Sequence, residues 1–321
     1  MGIKHLNRYL TNQCSEKSIS KCSFAEIRNK IVVVDTSIYL YKFVESNSLV
    51  EGIYSMISVF RKYGIIPLFV FDGKPPPEKT ELLEKRRKEK QQAEEKYNIL
   101  KTRMTETAEQ EPELLTELES LKKRFVRIRY ADIQMAKNIM TAYGISYIES
   151  CGEADQLCAY LVRKNYAWAC VSDDMDMFLY GCNRVIRHLS ILNHTGILYN
   201  TESILEELGM DFAEFRDIMV LSGTDYNIRE STSLYETLKL FSKYKTSNSG
   251  DSFYGWLLQN TKYVRNLEQL EKVREMFDLS GFPAGHQDEI RSIISKMPFQ
   301  NKPAQKDELR AILSADGFLF V

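Results

Sequence analysis

The sequence predicts an α/β protein built on a doubly wound, mostly parallel β-sheet. Short apolar runs rich in β-branched residues, typical of strands buried on both faces, occupy residues 31–34, 66–71 and 169–171. Segments with helical spacing of apolar residues lie between them, for example 49–62 and 131–143. Because strands alternate with helices, a parallel sheet covered by helices is favoured.

Composition places the chain among globular proteins of one or two domains. It has 321 residues, 44% of them hydrophobic and 27% charged, with a net charge of −1, which excludes collagen-like and mostly disordered classes. No apolar stretch reaches the roughly 18 residues of a membrane span, and the start MGIKHLNRYL lacks an apolar signal core. We therefore expect an intracellular protein, in the nucleus or the cytoplasm, that is not secreted and has no membrane partner. The six cysteines form no Cys-x-x-Cys pair, which favours free thiols in a reducing compartment.

Acidic side chains follow the predicted strands. Asp35 and Asp72 end the first two, and Asp174 comes three residues after the third. In open α/β sheets ligands bind outside the carboxyl ends of the strands, so these acids should share a crevice. Four further acids stand out along the chain: Glu153, Asp155, Asp176 and Asp225.

Each of these acids also has a structural explanation when taken alone. Glu153 and Asp155 would begin a helix, where the dipole favours acids. Asp174 and Asp176 would point to one side of an extended, solvated loop, and Asp225 would lie in a turn. Together in one crevice, however, like charges would raise one another's pKa and cost stability, and bound cations resolve that conflict.

The chemistry of the donors selects the cation. Oxygen-only ligands suit Mg²⁺ or Mn²⁺ rather than zinc, and the four histidines show no ligand spacing. Two such ions about 3.5–4 Å apart would activate a water and stabilise a leaving oxygen in phosphoryl transfer without a covalent nucleophile.

Residues 79–130 carry charge at unusual density. Nine basic and five acidic residues occupy 79–103, six glutamates and no base occupy 104–119, and five basic residues with no acid occupy 120–129. One interpretation is a solvated helical hairpin with intrahelical ion pairs; the other is an arm whose two basic ends face phosphates. Beyond residue 200 the chain is predicted to be helical, with a polar, loosely held tail at 297–306.

These motifs together resemble the XPG / flap endonuclease family of structure-specific 5′ nucleases. The matching pieces are Met1-Gly2-Ile3-Lys4, Val34-Asp35-Thr36-Ser37, the run FDGKPP at 71–76, Gly152-Glu153-Ala154-Asp155, Asp173-Asp174-Met175-Asp176, and LSGTDY at 221–226. Their order and spacing hold across residues 1–226. The resemblance implies a PIN-like 5′-nuclease fold with a helical arch insertion and a helical C-terminal part.

The resemblance also implies a division of the chain and roles for its residues. The expected parts are an N-terminal nuclease part (1–78), a helical arch or cap (79–130), an internal nuclease part (131–226), and a C-terminal region (227–321) with a degenerate helix-two-turn-helix and a loose tail. All seven acids match family metal ligands, with Asp155 in place of the more usual Glu. Lys79 and Arg86 match the basic pair at the scissile phosphate, where cations offset developing charge.

Four further residues match nucleic-acid contacts of the family, namely Gly2, Tyr41, Lys123 and Arg124. Tyr41 would stack on a base, with core packing as its alternative, and the two basic residues would contact a single strand under the arch.

The chain departs from the family after Asp225. No glycine lies between Gly223 and Gly250, although backbone approach to phosphate is easiest with glycine, so duplex binding there is expected to be lost or built differently. Residues 309–321 do not show a sliding-clamp peptide.

The sequence therefore predicts a hydrolase that cuts branched 5′-flap DNA with two Mg²⁺ or Mn²⁺ ions, in DNA repair or replication. We expect a monomer. A 5′-3′ exonuclease on DNA or RNA and a non-catalytic nucleic-acid-binding scaffold remain as alternatives.

Overall fold

The computed structural model describes residues 3–107, 112–227, 232–247, 250–264, 266–280, 287–296 and 304–318. Within them the chain forms one seven-stranded sheet in the order β1-β7-β6-β5-β2-β3-β4. The strands are β1 (Ile19–Ser23), β2 (Ile31–Asp35), β3 (Ile66–Phe71), β4 (Ser146–Glu149), β5 (Ala169–Val171), β6 (Arg184–Ser190) and β7 (Thr195–Asn200). Strand β7 is antiparallel to both neighbours, and the other adjacent pairs are parallel. The predicted mostly parallel α/β sheet is confirmed.

The strand order reverses beside β2. Strand β2 pairs on one side with β3 and on the other with β5, the strand that follows β4 along the chain. Asp35 lies level with Val70, and Val34 lies level with Val171. The carboxyl ends of β2, β3 and β5 therefore meet at one switch point, where ligands of doubly wound sheets bind.

Helices cover both faces of the sheet. They are α1 (Leu6–Gln13), α2 (Thr36–Glu45), α3 (Leu49–Lys62), α4 (Thr80–Thr107), α5 (Pro112–Arg124), α6 (Tyr130–Tyr143), α7 (Ala154–Arg163), α8 (Thr201–Leu208), α9 (Phe212–Ser222), α10 (Leu234–Thr246), α11 (Phe253–Asn260), α12 (Leu267–Met276), α13 (Gln287–Lys296) and α14 (Lys306–Ala315). Alternate strand residues serve two cores: Val33 faces α7, whereas Val32 and Val34 face α3 and α6. Both faces are apolar, because in a buried parallel strand every side chain enters a core.

The charged segment forms a two-helix hairpin from α4 and α5. Two ion pairs join its legs, Lys96 to Glu117 and Arg127 to Glu94, each at 2.6 Å. The ring of Tyr97 packs against that of Phe125, with centroids 5.3 Å apart. The hairpin interpretation therefore matches the structure, but these ion pairs cross between the legs and are not intrahelical as expected.

Most of the segment 297–306, for which a loose tail is expected, is not described by the structure. Residues 297–303 lie outside the described ranges, but Gln305 donates its backbone N–H to the carbonyl of Ala142 at 2.7 Å. Helix α14 then packs on α6, with Leu309 and Leu313 in the core between them. Because leucines four residues apart share one helix face, this short amphipathic helix has a surface to dock.

No helix in the described part of the chain is long and apolar enough to cross a membrane.

Candidate active site

A cleft of about 270 Å³ opens at the switch point of the sheet. Six of the seven predicted acids line it: Asp35, Asp72, Glu153, Asp155, Asp174 and Asp225. Lys79, Arg86 and Tyr41 line it too. The structure thus brings together residues from five separate regions of the sequence.

The first two acids are held by hydroxyl and backbone donors. Asp35 is the last residue of β2, is only 6% exposed, and accepts a hydrogen bond from the Ser172 hydroxyl at 3.0 Å. Asp72, directly after β3, accepts from the backbone N–H of Ala154 at 2.8 Å and from the Ser37 hydroxyl. Since Ala154 begins α7, Asp72 ties the end of one strand to the N-terminus of that helix.

Glu153 precedes α7 but does not cap it through its side chain. Its Oε1 lies 2.5 Å from the Lys79 ammonium, and its Oε2 accepts from the hydroxyl of Tyr226, also at 2.5 Å. The position of Glu153 at the start of a helix therefore does not explain the contacts that its carboxylate makes. Asp155 in the first turn accepts the backbone N–H of Gln156 at 2.7 Å and is half-buried.

The structural alternative for Asp174 and Asp176, an extended and solvated loop, does not match the structure. Asp174 instead caps a 3₁₀ turn, Met175–Phe178, by accepting the backbone N–H of Asp176 at 3.0 Å. The turn forms because its apolar residues enter the core, which leaves Asp176 only 2% exposed. One oxygen of Asp176, Oδ1, is buried without a hydrogen-bond partner among the described residues.

Arg86 completes the cationic side of the cleft. Its Nη2 donates to Asp225 Oδ2 at 2.9 Å, and Asp225 follows the end of α9. Lys79 and Arg86 lie one on each side of the start of α4, so the base of the hairpin brings both cations against the acids.

The acids repel one another across the cleft. Burial, together with the charges of Asp72 and Asp174, raises the pKa of Asp35 to about 8. Burial and neighbouring carboxylates also raise the pKa of Asp155 and of Asp176 well above the usual aspartate value. Burial alone would lower the pKa of Lys79, but Asp155 and Glu153 outweigh it and the net shift is upward. The cleft therefore carries more negative charge than its two cations balance.

This charge and donor set fit hard divalent cations. The acids supply only oxygen, as Mg²⁺ and Mn²⁺ prefer, and Asp176 Oδ1 is a buried oxygen without a partner. Among the described residues, however, no group of three or more acid, histidine or cysteine side chains is already arranged to hold a metal ion. Glu153 and Asp225 are paired with Lys79 and Arg86 instead.

Of the four predicted nucleic-acid contacts, Tyr41 lines the cleft. Tyr41 on α2 is 42% exposed, so the core-packing alternative is excluded, and the Lys90 ammonium lies 4.8 Å from the centre of its ring. Lys123 lies 3.8 Å from Glu45, and Arg124 is exposed at the end of α5. Gly2 lies outside the described residues.

Sequence reasoning missed three residues that hold the acids in place. Ser37 and Ser172 each donate to an acid, and Tyr226 donates to Glu153. Burial and the nearby charges of Asp155 and Glu153 raise the pKa of Tyr226, so its phenol remains a donor. The available signal was proximity in sequence, because each residue lies within two positions of a predicted ligand.

A doubly wound sheet with an acidic cleft at its switch point and a helical hairpin beside that cleft defines the PIN-like 5′-nuclease fold. Solved structures share it at 16–22% sequence identity. The catalytic core of Rad2 in complex with DNA substrate has a TM-score of 0.60, covering 98% of this chain and 95% of that one. Flap endonuclease-1 from Methanococcus jannaschii has a TM-score of 0.55, covering 93% and 97%. The Holliday junction-resolving enzyme GEN1 with product DNA and Mg²⁺ has a TM-score of 0.63, covering 97% and 72%.

Sequence comparison identifies the family. The XPG N-terminal domain model matches residues 1–93 and the XPG I-region model matches 144–225, together more than half of the chain. Flap endonuclease 1 of Theileria parva is 31% identical over 297 residues, covering 86% of this chain and 58% of that protein. Flap endonuclease 1 of Saccharolobus solfataricus is 31% identical over 234 residues, covering 64% of each. The chain thus spans less than two thirds of these relatives, and it belongs to the XPG / flap endonuclease family.

Proposed function

We propose that the chain is a metal-dependent, structure-specific 5′ nuclease that hydrolyses phosphodiester bonds of branched, 5′-flap DNA. The observation that carries this proposal is the cleft itself, where six acids face two cations at the foot of a charged hairpin. Family membership supports it, since relatives of 31% identity are named flap endonuclease 1.

The acids would hold the metal. Asp35, Asp72 and Asp174 end or follow neighbouring strands, and Glu153, Asp155 and Asp225 line the same cleft. Asp176 is buried next to Asp174. When bound, two Mg²⁺ or Mn²⁺ ions would supply Lewis-acid activation of water and of the phosphodiester. Ser37, Ser172 and the N–H of Ala154 orient Asp35 and Asp72, as outer partners of ligating carboxylates do.

Lys79 and Arg86 would face the scissile phosphate. Both are positioned by the start of α4 and already lie among the acids, so a phosphate entering the cleft meets an ammonium and a guanidinium. Fixed cations stabilise the negative charge that develops on the transferring phosphate. No covalent nucleophile is required for this reaction.

The hairpin would guide the single strand. Lys90 of the hairpin lies 4.8 Å from the ring of exposed Tyr41, and Lys123 contacts Glu45 further along α2. Lys123 and Arg124 together form the basic end of α5. A groove that combines cations with an aromatic ring suits single-stranded nucleic acid, because charge holds the backbone while the ring stacks on a base. We propose that the protein does this as a monomer, which light scattering on the purified protein tests.

Cleavage of 5′-labelled substrates tests the function. The panel contains a single flap, a double flap, a nick, a blunt duplex and a matching RNA flap, each with Mg²⁺ and with chelator. A cut near the junction that chelation abolishes supports the proposal. Short products from nicks or blunt ends would identify an exonuclease instead, and cleavage of the RNA flap would change the substrate class.

A substitution separates catalysis from binding. Asp174→Ala should abolish cleavage while leaving flap binding measurable by fluorescence anisotropy. Asp307→Asn is the matched control, because Asp307 is an exposed acid on α14. Full activity in Asp174→Ala would overturn the metal mechanism, and a folded wild-type protein that cuts nothing would favour a binding scaffold.

A further inference from the structure

Tyr226 lies beneath two functional groups of the cleft at once. Its hydroxyl donates to Glu153 Oε2 at 2.5 Å, and the Lys79 ammonium lies 4.9 Å from the centre of its ring. The same ammonium lies 2.5 Å from the other oxygen of Glu153. One aromatic side chain thus contacts both members of an acid–cation pair that lie 74 positions apart in sequence.

The tyrosine is itself held rigidly. It is 8% exposed, and its ring packs edge-on against Phe277 with centroids 5.5 Å apart. Its hydroxyl also lies 3.3 Å from that of Tyr180, which is fully buried. Because packing fixes the ring, the ring can hold Glu153 and Lys79 in fixed positions. A solvent-exposed side chain could not do this.

We propose that Tyr226 is a positioning residue of the site, with its hydroxyl orienting Glu153 for a divalent cation and its ring seating the Lys79 ammonium. This inference rests on the proposed nuclease function. The two contacts have separate purposes. Glu153 would contact both Lys79 and the metal, and its carboxylate would turn towards the metal when one is bound. The attraction between the Lys79 ammonium and the face of the Tyr226 ring would then keep the ammonium in place.

Two substitutions at this position separate the contacts. Tyr226→Phe keeps the ring and removes the hydroxyl, whereas Tyr226→Leu removes both. We expect Tyr226→Phe to weaken Mn²⁺ binding about tenfold, the size typical of lost outer partners of ligands. Its kcat at saturating Mn²⁺ should stay within about threefold of wild type. Tyr226→Leu should lose a further tenfold or more in kcat at saturating metal, because the Lys79 charge is then misplaced.

Mn²⁺ affinity is measured by isothermal titration calorimetry without DNA, and kcat on the flap substrate. Tyr254→Phe is the matched control, since it removes another buried tyrosine hydroxyl, one that donates to the Asp217 carbonyl outside the cleft, and should leave Mn²⁺ affinity within about twofold. In a Lys79→Met background, Tyr226→Leu and Tyr226→Phe should have equal kcat, because residues that act through one another are not additive. Circular dichroism checks folding, and Tyr226→Met replaces Tyr226→Leu should the latter fail to fold.

Unchanged Mn²⁺ affinity in Tyr226→Phe would overturn the role of the hydroxyl. Equal kcat for the Phe and Leu variants with Lys79 intact would overturn the role of the ring. Failure of the nuclease proposal would give a different result, because the wild-type protein itself would then cut none of the substrates. The Mn²⁺ affinities measured by calorimetry would still test the contact between Tyr226 and Glu153.

Discussion

Replacement of Gly73 by alanine should damage the site through the backbone alone. Gly73 follows Asp72, and its N–H donates to the carbonyl of Gly152 at 2.7 Å. An alanine Cβ there would lie 1.9 Å from the carbonyl oxygen of Ser150 and 2.9 Å from the carbonyl carbon and oxygen of Cys151. All three atoms belong to the main chain, so no side-chain rotation relieves the overlap.

The expected cost follows from these contacts. To reach an ordinary separation of 3.4 Å from Ser150, the two segments must move apart by about 1.5 Å. That movement breaks the bond to Gly152 and the one from Lys74 to Cys151, at about 1 kcal/mol each, and adds about 1–3 kcal/mol of overpacking. With an unfolding entropy of about 2.1 cal/mol/K per residue, the resulting 3–5 kcal/mol lowers Tm by about 4–7 °C.

Activity should fall further than stability. The same movement separates Asp72 from Glu153, because this loop and the bond from the Ala154 N–H to Asp72 hold the two segments together. A misplacement of about 1 Å at a catalytic centre costs about a hundredfold in rate. We therefore expect single-turnover flap cleavage to drop about a hundredfold at temperatures where the variant is folded.

Calorimetric melting and quenched-flow cleavage measure the two effects. Gly250→Ala is the matched control, because its Cβ would meet no atom within 4 Å and should change Tm by less than about 1 °C. A Gly73→Ala protein that melts and cuts like wild type would refute the argument that this backbone contact builds the site.

Three further predictions concern charge, packing and the hairpin. Burial and the neighbouring carboxylates raise the pKa of Asp35 to about 8 in the folded protein, against 3.8 for an ordinary aspartate. Because the folded state then keeps a proton that the unfolded state releases, stability in chelator should fall as pH rises from about 4 to about 8; Asp35→Asn should flatten that slope in thermal melts. Leu313→Ala should cost about 2–5 kcal/mol in urea unfolding, whereas Leu192→Ala, 88% exposed, should cost less than about 0.5 kcal/mol; equal effects would contradict docking of α14. The double change Lys123→Ala and Arg124→Ala should reduce the slope of log affinity for flap DNA against log salt by about 1.4 if each contacts one phosphate of a single strand, and an unchanged slope in anisotropy titrations would remove the hairpin from the binding surface.

Local patterns determined the central part of the fold. The apolar runs at 31–34, 66–71 and 169–171 became β2, β3 and β5, and the helical spacing at 49–62 became α3. The three strands are buried on both faces, so burial alone specifies their residues. Strands β1, β4, β6 and β7 escaped prediction. Strands β1 and β4 each have a single buried residue and no apolar run to reveal them.

The chemistry of the site was also visible in the sequence, because acids follow the strands at positions that a sheet edge brings together. The partners of those acids were not visible. Lys79 meets Glu153 across 74 positions and Arg86 meets Asp225 across 139, and sequence spacing carries no information on contacts at such separations.

The sequence by itself therefore determined the class of fold, the acids and their family, since these depend on local apolar patterns and on motifs. Only the tertiary structure decided that Asp176 is buried in a 3₁₀ turn, that Tyr226 contacts both Glu153 and Lys79, and that α14 docks on α6. Each of those outcomes depends on packing between residues that are far apart in the sequence. The order of the strands in the sheet decides which of these residues become neighbours, and that order depends on the whole chain.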